Sequence, residues 1–300
     1  MIAKLQAGDY VAIAATARKV SAAEMAPAIA ILSNWGLQVV LADDLYAADN
    51  QYAGSDHHRS QAFQKLLDDP KIKAIFCARG GYGTVRMIDQ LDFTQFCKTP
   101  KWIIGYSDIT VLHAHIEKNF GIPTLHAPMP INWQADKLHQ ESLDFLKENL
   151  FAGPQTISFA PHPLNTNLQE INGKLIGGNL SVLYAILGSN SDQDYSNKIL
   201  FLEDLDEYLY HIDRMLIALK RAGKLAKLKG IVIGQMSDMK DNAVPFGKTA
   251  EEIILEAVKE YNYPVVFGVP AGHEARNLSL ILGSNYQLKI GASLQLVPEN

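Results

Sequence analysis

Short apolar segments alternate with helical segments through the first half of the chain, and this order constrains the fold more than any other feature. The predicted strands cover 10–15, 37–41, 74–78 and 102–105, and the predicted helices cover 22–35, 60–67, 85–91 and 109–119. A helix between two such strands carries the chain back across the sheet, so successive strands run in the same direction. We therefore predict an α/β protein whose first half is a parallel sheet with helices on both faces.

The chain changes character after residue 150. Residues 151–169 hold three prolines among polar residues and show no helical period, which predicts a linker between an α/β domain at 1–150 and a second domain at 170–300. The second domain is predicted to be smaller and of mixed α/β order. Its predicted elements are a Gly-rich turn at 173–188 with a helix at 180–187, strands at 198–202, 230–234 and 264–269, helices at 208–222 and 249–261, and a closing hairpin at 285–297.

Composition excludes several functional classes. The 300 residues are 48% hydrophobic and 20% charged, as expected of a soluble globular protein with an ample core. The net charge of −5, from 27 basic and 32 acidic residues, argues against a nucleic-acid partner because no basic excess is available to neutralise phosphates. We expect neither a signal peptide nor a membrane-spanning stretch. The two cysteines make neither a disulfide framework nor a zinc site, so we expect a cytoplasmic protein with no metal and no cofactor.

Ser107 is the first candidate for chemistry. It follows the predicted strand at 102–105 in a Gly-x-Ser sequence, and the apolar segment after it is predicted to be a helix. A sharp strand-to-helix turn of this kind pushes a serine hydroxyl outward, where a base can activate it as a nucleophile. The alternative is that Ser107 merely caps the following helix.

A glycine-rich loop, Arg79-Gly80-Gly81-Tyr82-Gly83, follows the preceding strand. Ligands of parallel sheets bind beyond the carboxyl ends of the strands, so this loop and Ser107 are expected at the same edge. The loop matches neither the dinucleotide fingerprint nor a Walker A loop. A phosphate site, an oxyanion hole that serves Ser107 and a plain turn all remain open from the residues alone.

A serine nucleophile also needs a base and a group that orients the base. His273 lies just past a predicted strand, in a setting that suits an exposed base, and His126 lies close to another strand end. Glu203 and Asp204 end the predicted strand that begins at residue 198, and either can orient a histidine. No spacing of His, Cys, Asp or Glu resembles a metal site.

Five blocks in chain order resemble the LD-carboxypeptidase family of serine peptidases, which includes muramoyl-tetrapeptide carboxypeptidases and the microcin C immunity peptidase. The resemblance covers nearly all of the chain. The blocks are Ala78-Arg79-Gly80-Gly81-Tyr82-Gly83, Gly105-Tyr106-Ser107-Asp108-Ile109-Thr110, Gly173-Lys174-Leu175-Ile176-Gly177-Gly178-Asn179-Leu180, Leu202-Glu203-Asp204 and Pro270-Ala271-Gly272-His273.

The resemblance implies a Ser–His–Glu triad that is divided between two domains. It assigns Ser107 as the nucleophile, His273 as the general base and Glu203 as the residue that orients His273, with the backbone N–H groups of Gly81 and Asp108 as the oxyanion hole. It implies a homodimer that acts on a small muropeptide. The reaction is hydrolysis of the L,D-peptide bond before the terminal D-Ala of cytoplasmic peptidoglycan tetrapeptides, as part of cell-wall recycling.

Arg79 is a candidate for binding the substrate's terminal carboxylate, although it can equally be a structural fork that holds backbone carbonyls. Two loops depart from the family pattern. Ala14-Ala15-Thr16-Ala17-Arg18 stands where members commonly carry Pro-Ser, and His126-Ala127-Pro128 stands where many carry His-Gly-Pro. These departures leave the fine substrate preference open.

Two other functions remain open. One is a microcin C-like hydrolase of peptidyl or aminoacyl nucleotides, which needs an aromatic platform for the base. All three tryptophans lie in the first half of the chain, so tyrosines would have to supply that platform. The other is a two-domain binding protein that closes on a ligand without chemistry.

Overall fold

The computed structural model describes residues 2–299, which form two β-sheets with helices packed against them. The strands are β1 (Tyr10–Ala14), β2 (Gln38–Leu41), β3 (Ile72–Cys77), β4 (Trp102–Gly105), β5 (Thr124–His126), β6 (Ile157–Phe159), β7 (Ile171–Asn179), β8 (Ile199–Leu205), β9 (Gly230–Ser237), β10 (Val265–Phe267), β11 (Leu280–Leu282), β12 (Asn285–Lys289) and β13 (Leu294–Pro298). The helices are α1 (Ala22–Asn34), α2 (Asp56–Asp68), α3 (Thr94–Lys98), α4 (Thr110–Phe120), α5 (Gln140–Phe151), α6 (Leu180–Ala185), α7 (Leu209–Arg221) and α8 (Ala250–Val258).

The first sheet has the strand order β11-β5-β4-β3-β1-β2, and β1 to β5 are parallel to one another. Alternate residues of a strand point to opposite faces, and β3 shows the consequence. Its Ala74 and Phe76 join the core that includes residues of α1 and α5, whereas Ile75 and Cys77 join the core that includes residues of α2 and α4. The prediction of a parallel sheet with helices on both faces is confirmed.

The second sheet has the order β10-β9-β8-β7-β12-β13-β6. Strands β7 to β10 are parallel, and β12, β13 and β6 extend the sheet with antiparallel pairings. The mixed α/β order predicted for the second half is confirmed. Glu203 lies near the carboxyl end of β8.

Two short strands link the halves of the chain. Strand β6 lies inside the segment 151–169 and pairs with β13, so this segment is an edge of the second sheet rather than a free connection. Strand β11 belongs to the second half of the chain but pairs antiparallel with β5 of the first sheet. The domain bounds at 1–150 and 170–300 stay a prediction, since β11 from the second half of the chain lies in the first sheet.

Two predicted elements differ in the structure. The helix predicted at 85–91 forms two short 3-10 turns at 84–86 and 88–90. The Gly-rich turn predicted at 173–188 is mostly strand β7 followed by α6. The pairing of β7 with β8 explains why this strand contains Gly177. Its φ is +120°, and a Cβ there would collide with the carbonyl oxygen of Phe201, so only glycine fits at this position.

Candidate active site

Ser107 lies on a strained turn at the carboxyl end of β4. Its φ of +63° is in the left-handed region, which is uncommon for residues other than glycine. A 3-10 turn at Ser107–Ile109 then runs directly into α4. The hydroxyl is thereby placed at the end of the sheet, half-buried in a cleft, as the Gly-x-Ser sequence predicts.

Buried contacts hold this turn in place. A Cβ at Gly105 would lie 2.8 Å from Cγ1 of Ile109, so only glycine lets the strand and the turn approach this closely. The buried carboxylate of Asp108 accepts a hydrogen bond of 2.9 Å from the N–H of Thr84. His113 Nε2 lies 2.9 Å from the carbonyl oxygen of Gly105. The serine turn is therefore fixed to the glycine-rich loop on one side and to α4 on the other.

His273 reaches the same region from the loop between β10 and β11. Its Nδ1 lies 2.6 Å from Oε2 of Glu203, whose side chain is fully buried on β8. Burial lowers the pKa of His273, but the charge of Glu203, its hydrogen bond and the charge of Asp204 together outweigh burial and raise that pKa above 6.5. The contact with Glu203 favours a proton on Nδ1 and leaves Nε2 free to accept another.

Asp204 faces away from His273 and makes a different set of contacts. Its carboxylate accepts hydrogen bonds from Nδ2 of Asn179 at 2.9 Å and from the N–H of Ser181 at 2.8 Å. Burial, followed by the charge of Glu203, raises the pKa of Asp204 to about 7. The N–H of Asn179 donates to Oγ1 of Thr110 at 3.0 Å, so this buried network connects β8 with the first turn of α4.

Ser107 and His273 line one cleft of about 250 Å³. The ring of Tyr106, the residue before Ser107, lies 4.6 Å from the ring of His273, measured between centroids. Within residues 2–299 the hydroxyl of Ser107 forms no hydrogen bond, so it is available to a ligand or to His273. The other residues that line the cleft are Arg18, Arg79, Gly80, Gly81, Tyr106, Met129, Ile131, Asn132 and Leu205.

Backbone donors lie beside the hydroxyl. A Cβ at Gly80 would lie 3.4 Å from Oγ of Ser107, which places the glycine-rich loop against the serine. Gly81 has a φ of +105°, and its N–H and that of Asp108 donate to no other group of residues 2–299. Two free N–H groups near a nucleophile can stabilise a developing oxyanion.

Arg79 lines the cleft and also contacts two residues outside it. Its Nη1 is 3.5 Å from the carbonyl oxygen of Lys19 and 3.9 Å from Oε1 of Glu24. Both uses that the sequence suggests, a ligand contact and a structural fork, are therefore compatible with its position.

His126 does not line the cleft, contrary to the possibility raised by its place near a strand end. It is fully buried on β5, with its ring 5.0 Å from that of Phe201, and neither ring nitrogen has a partner within residues 2–299. Burial lowers its pKa well below 6.5, so it stays neutral. Sequence reasoning also missed the contacts of Asn179 with Thr110, because no local pattern connects residues so far apart.

In the part of the chain that the structure describes, no group of three or more His, Cys, Asp or Glu side chains is arranged to hold a metal ion. None of the helices in the same residues is both long and apolar enough to cross a bilayer.

The fold and the cleft define a two-sheet α/β protein with its site at the carboxyl ends of parallel strands, and comparison with known proteins identifies the family. Residues 11–127 match the family model of the LD-carboxypeptidase N-terminal domain, and residues 172–288 match that of the LD-carboxypeptidase C-terminal domain. This chain belongs to the LD-carboxypeptidase family.

Individual relatives agree with the family models. The chain is 33% identical over 286 residues to a probable murein peptide carboxypeptidase of Bacillus subtilis, covering 93% of this chain and 88% of the relative. It is 30% identical over 234 residues to the murein tetrapeptide carboxypeptidase of Pseudomonas aeruginosa, covering 75% of each chain.

Solved structures share the whole fold. The muramoyltetrapeptide carboxypeptidase from Oxalobacter formigenes superposes with a TM-score of 0.88 at 28% identity, covering 97% of this chain and 99% of that one. The microcin C7 self immunity protein superposes with a TM-score of 0.90 at 22% identity, covering 99% and 98%, and shows the same fold.

Proposed function

We propose that this protein is a serine carboxypeptidase that hydrolyses the L,D-peptide bond before the terminal D-Ala of murein tetrapeptides. The observation that carries the proposal is the meeting of Ser107 with the His273–Glu203 pair in one cleft. The names of the relatives from Bacillus subtilis and Pseudomonas aeruginosa support a murein peptide as the substrate class.

The proposed reaction begins with proton transfer from the Ser107 hydroxyl to Nε2 of His273. The serine oxygen attacks the scissile carbonyl carbon, and the carbonyl oxygen becomes an oxyanion held by the N–H groups of Gly81 and Asp108. His273 then returns the proton to the nitrogen of the leaving D-Ala as the C–N bond breaks. A water molecule, deprotonated by His273, hydrolyses the acyl-serine ester and regenerates the hydroxyl.

Glu203 is proposed to orient the base rather than to transfer protons. Its hydrogen bond to Nδ1 keeps the imidazole in the tautomer that presents Nε2 to the serine. Its buried charge stabilises the imidazolium that forms in both steps, which agrees with the raised pKa of His273. The homodimer and the cytoplasmic location implied by the family resemblance stay predictions.

A second candidate function is hydrolysis of peptidyl or aminoacyl nucleotides, and one observation favours it. Tyr208 and Tyr210 follow β8 closely, are both exposed and have ring centroids 5.6 Å apart. They come just after Leu205, which lines the cleft. Exposed tyrosine rings of this kind can stack on a nucleobase.

The test is product analysis by mass spectrometry. The parent protein and Ser107→Ala are each incubated with L-Ala-γ-D-Glu-(diamino acid)-D-Ala, with either Lys or meso-diaminopimelate as the diamino acid, and in parallel with an aminoacyl nucleotide. Release of D-Ala by the parent and a loss of about 10⁴- to 10⁶-fold in Ser107→Ala are expected. Cleavage of the nucleotide alone would support the second candidate, and cleavage of neither would leave a binding protein.

A further inference from the structure

The cleft that holds Ser107 is cationic although the chain carries a net charge of −5. Arg18 and Arg79 line it, and no Asp or Glu is among its lining residues in the described chain. His273 also lines it but is paired with the buried carboxylate of Glu203, so the two arginines supply the positive charge. A concave site with charge of one sign concentrates ligands of the opposite sign. The part of the substrate that enters this cleft is therefore expected to carry a negative charge.

Arg18 is held directly beside the proposed oxyanion hole. The backbone N–H of Arg18 donates to the carbonyl oxygen of Gly80, with 3.4 Å between nitrogen and oxygen, and the Arg18 side chain runs across Gly81. A Cβ at Gly81 would collide with Cδ of Arg18 and lie 3.4 Å from its Nε. Glycine at position 81 thus leaves room for the arginine stem, which passes directly beside the backbone of Gly81, the residue whose N–H is the proposed oxyanion donor.

The two arginines of the cleft differ in what they already bind. Arg79 is close to the carbonyl oxygen of Lys19 and to the carboxylate of Glu24. Arg18 is exposed, and its guanidinium forms neither an ion pair nor a hydrogen bond with residues 2–299. Its five N–H donors are free for a planar anion, and a carboxylate is the planar anion that a guanidinium binds in a bidentate manner.

We infer that Arg18 binds the terminal carboxylate of the peptide and thereby makes the cleft select chain ends. The inference rests on the proposed carboxypeptidase function and names the residue that binds the leaving D-Ala. In the leaving residue, the carboxylate carbon is three bonds from the scissile carbonyl carbon, which places the two carbons about 3–4 Å apart. A cation that lies against Gly81 is at the correct range for that carboxylate while the carbonyl oxygen faces the Gly81 N–H.

The test compares two substrates that differ only in the terminal charge, a murein tetrapeptide with a free carboxylate and the same peptide with a C-terminal amide. The parent is expected to favour the free acid in kcat/KM. Arg18→Ala should lower kcat/KM for the acid by about 10- to 100-fold and leave the value for the amide almost unchanged, because only the acid offers the lost partner. Arg18→Lys should recover part of the preference through its charge.

Lys19→Ala is the matched control, because it removes the same charge from the neighbouring exposed residue, which does not line the cleft. It should keep the parent's preference for the acid. An equal loss on both substrates in Arg18→Ala would overturn the inference, and so would a collapse of the preference in Arg79→Ala instead.

The inference can fail separately from the proposed function. If the parent releases D-Ala but Arg18→Ala keeps its preference for the acid, only the role of Arg18 is wrong. If the parent releases no D-Ala, the affinities of the acid and the amide are measured by calorimetry in Ser107→Ala with and without Arg18→Ala. Tighter binding of the acid that depends on Arg18 supports the inference, whereas equal affinities or no binding overturns it.

Discussion

The turn that carries Ser107 and the loop that carries His273 reach one cleft by different physical means. Ser107 is placed by its own backbone, with a φ of +63° and a glycine two residues before it that packs against Ile109. His273 is placed by a buried carboxylate that lies 70 residues earlier in the chain, at 2.6 Å. Local backbone geometry thus positions Ser107, whereas long-range electrostatics positions His273.

Because of this difference, Ser107 and His273 should tolerate different substitutions. A backbone-positioned residue keeps its place when its side chain is truncated, because the strain belongs to the main chain. A charge-positioned residue depends on its partner, and the partner is costly to leave unpaired in a buried site. The network from Asp204 through Asn179 to Thr110 connects the two sides, so neither is independent of the other.

The largest loss of kcat is expected when the Glu203–His273 pair is disturbed. Glu203→Gln keeps the shape of the side chain but removes its charge, and kcat should fall by about 10⁴-fold, as in other triads that lose the orienting carboxylate. The pH profile gives a second readout. In the parent, kcat/KM should rise with pH through a value above 6.5, since the charge of Glu203 raises the pKa of His273 against the effect of burial.

Removing that charge lowers the pKa of His273, so the acid limb of kcat/KM should move to lower pH in Glu203→Gln. The profile is measured from pH 4 to pH 9 with the tetrapeptide. A limb that stays in place or moves upward would show that Glu203 does not control the base. Asp204→Asn serves as the comparison, because Asp204 also raises the pKa of His273 but does not touch its ring.

A smaller loss of kcat is expected when the glycine-rich loop beside Ser107 is changed. Gly81→Ala places a methyl group in collision with Arg18 at a φ of +105°, which should displace the loop and its N–H donor. Loss of one oxyanion donor typically costs about 10²–10³ in kcat. Gly8→Ala is the matched control, since Gly8 has a φ of +91° and open space around its Cβ position.

Both alanine variants should lose about 1–2 kcal/mol of stability from the left-handed backbone, measured by denaturant unfolding. Only Gly81→Ala should lose activity. Equal activity in the two variants would mean that the glycine-rich loop supplies no donor to the reaction.

The same contrast explains what the sequence could predict. Strands β1 to β4 were predicted to within a few residues, because each is an apolar run bounded by turn residues. Strand β7 was predicted as a turn because glycines are common in turns. The structure shows instead that Gly177 allows the backbone of Phe201 to approach β7 closely. Strands β6 and β11 pair with strands that are far away in the sequence, and a local sequence pattern cannot predict such pairings.

The candidate site also contains residues that local sequence predicts and residues that it does not. Local sequence was enough to single out Ser107 and the glycine-rich loop, since a strand, a glycine and a serine form one continuous motif. The residues alone could not choose between His126 and His273, or between Glu203 and Asp204. That choice depends on which side chain of β8 faces which loop, and the structure pairs His273 with Glu203 while Asp204 turns towards Asn179.

The central claim is that Ser107 after β4 and His273 of the loop between β10 and β11 act as one catalytic unit. A double-mutant cycle on kcat for D-Ala release tests it most directly, with Ser107→Ala, His273→Ala and the double variant. Residues that act as a unit are not additive, so the double variant should be no slower than either single variant. Losses that multiply in the double variant would contradict the claim, because they would show that the two side chains work independently.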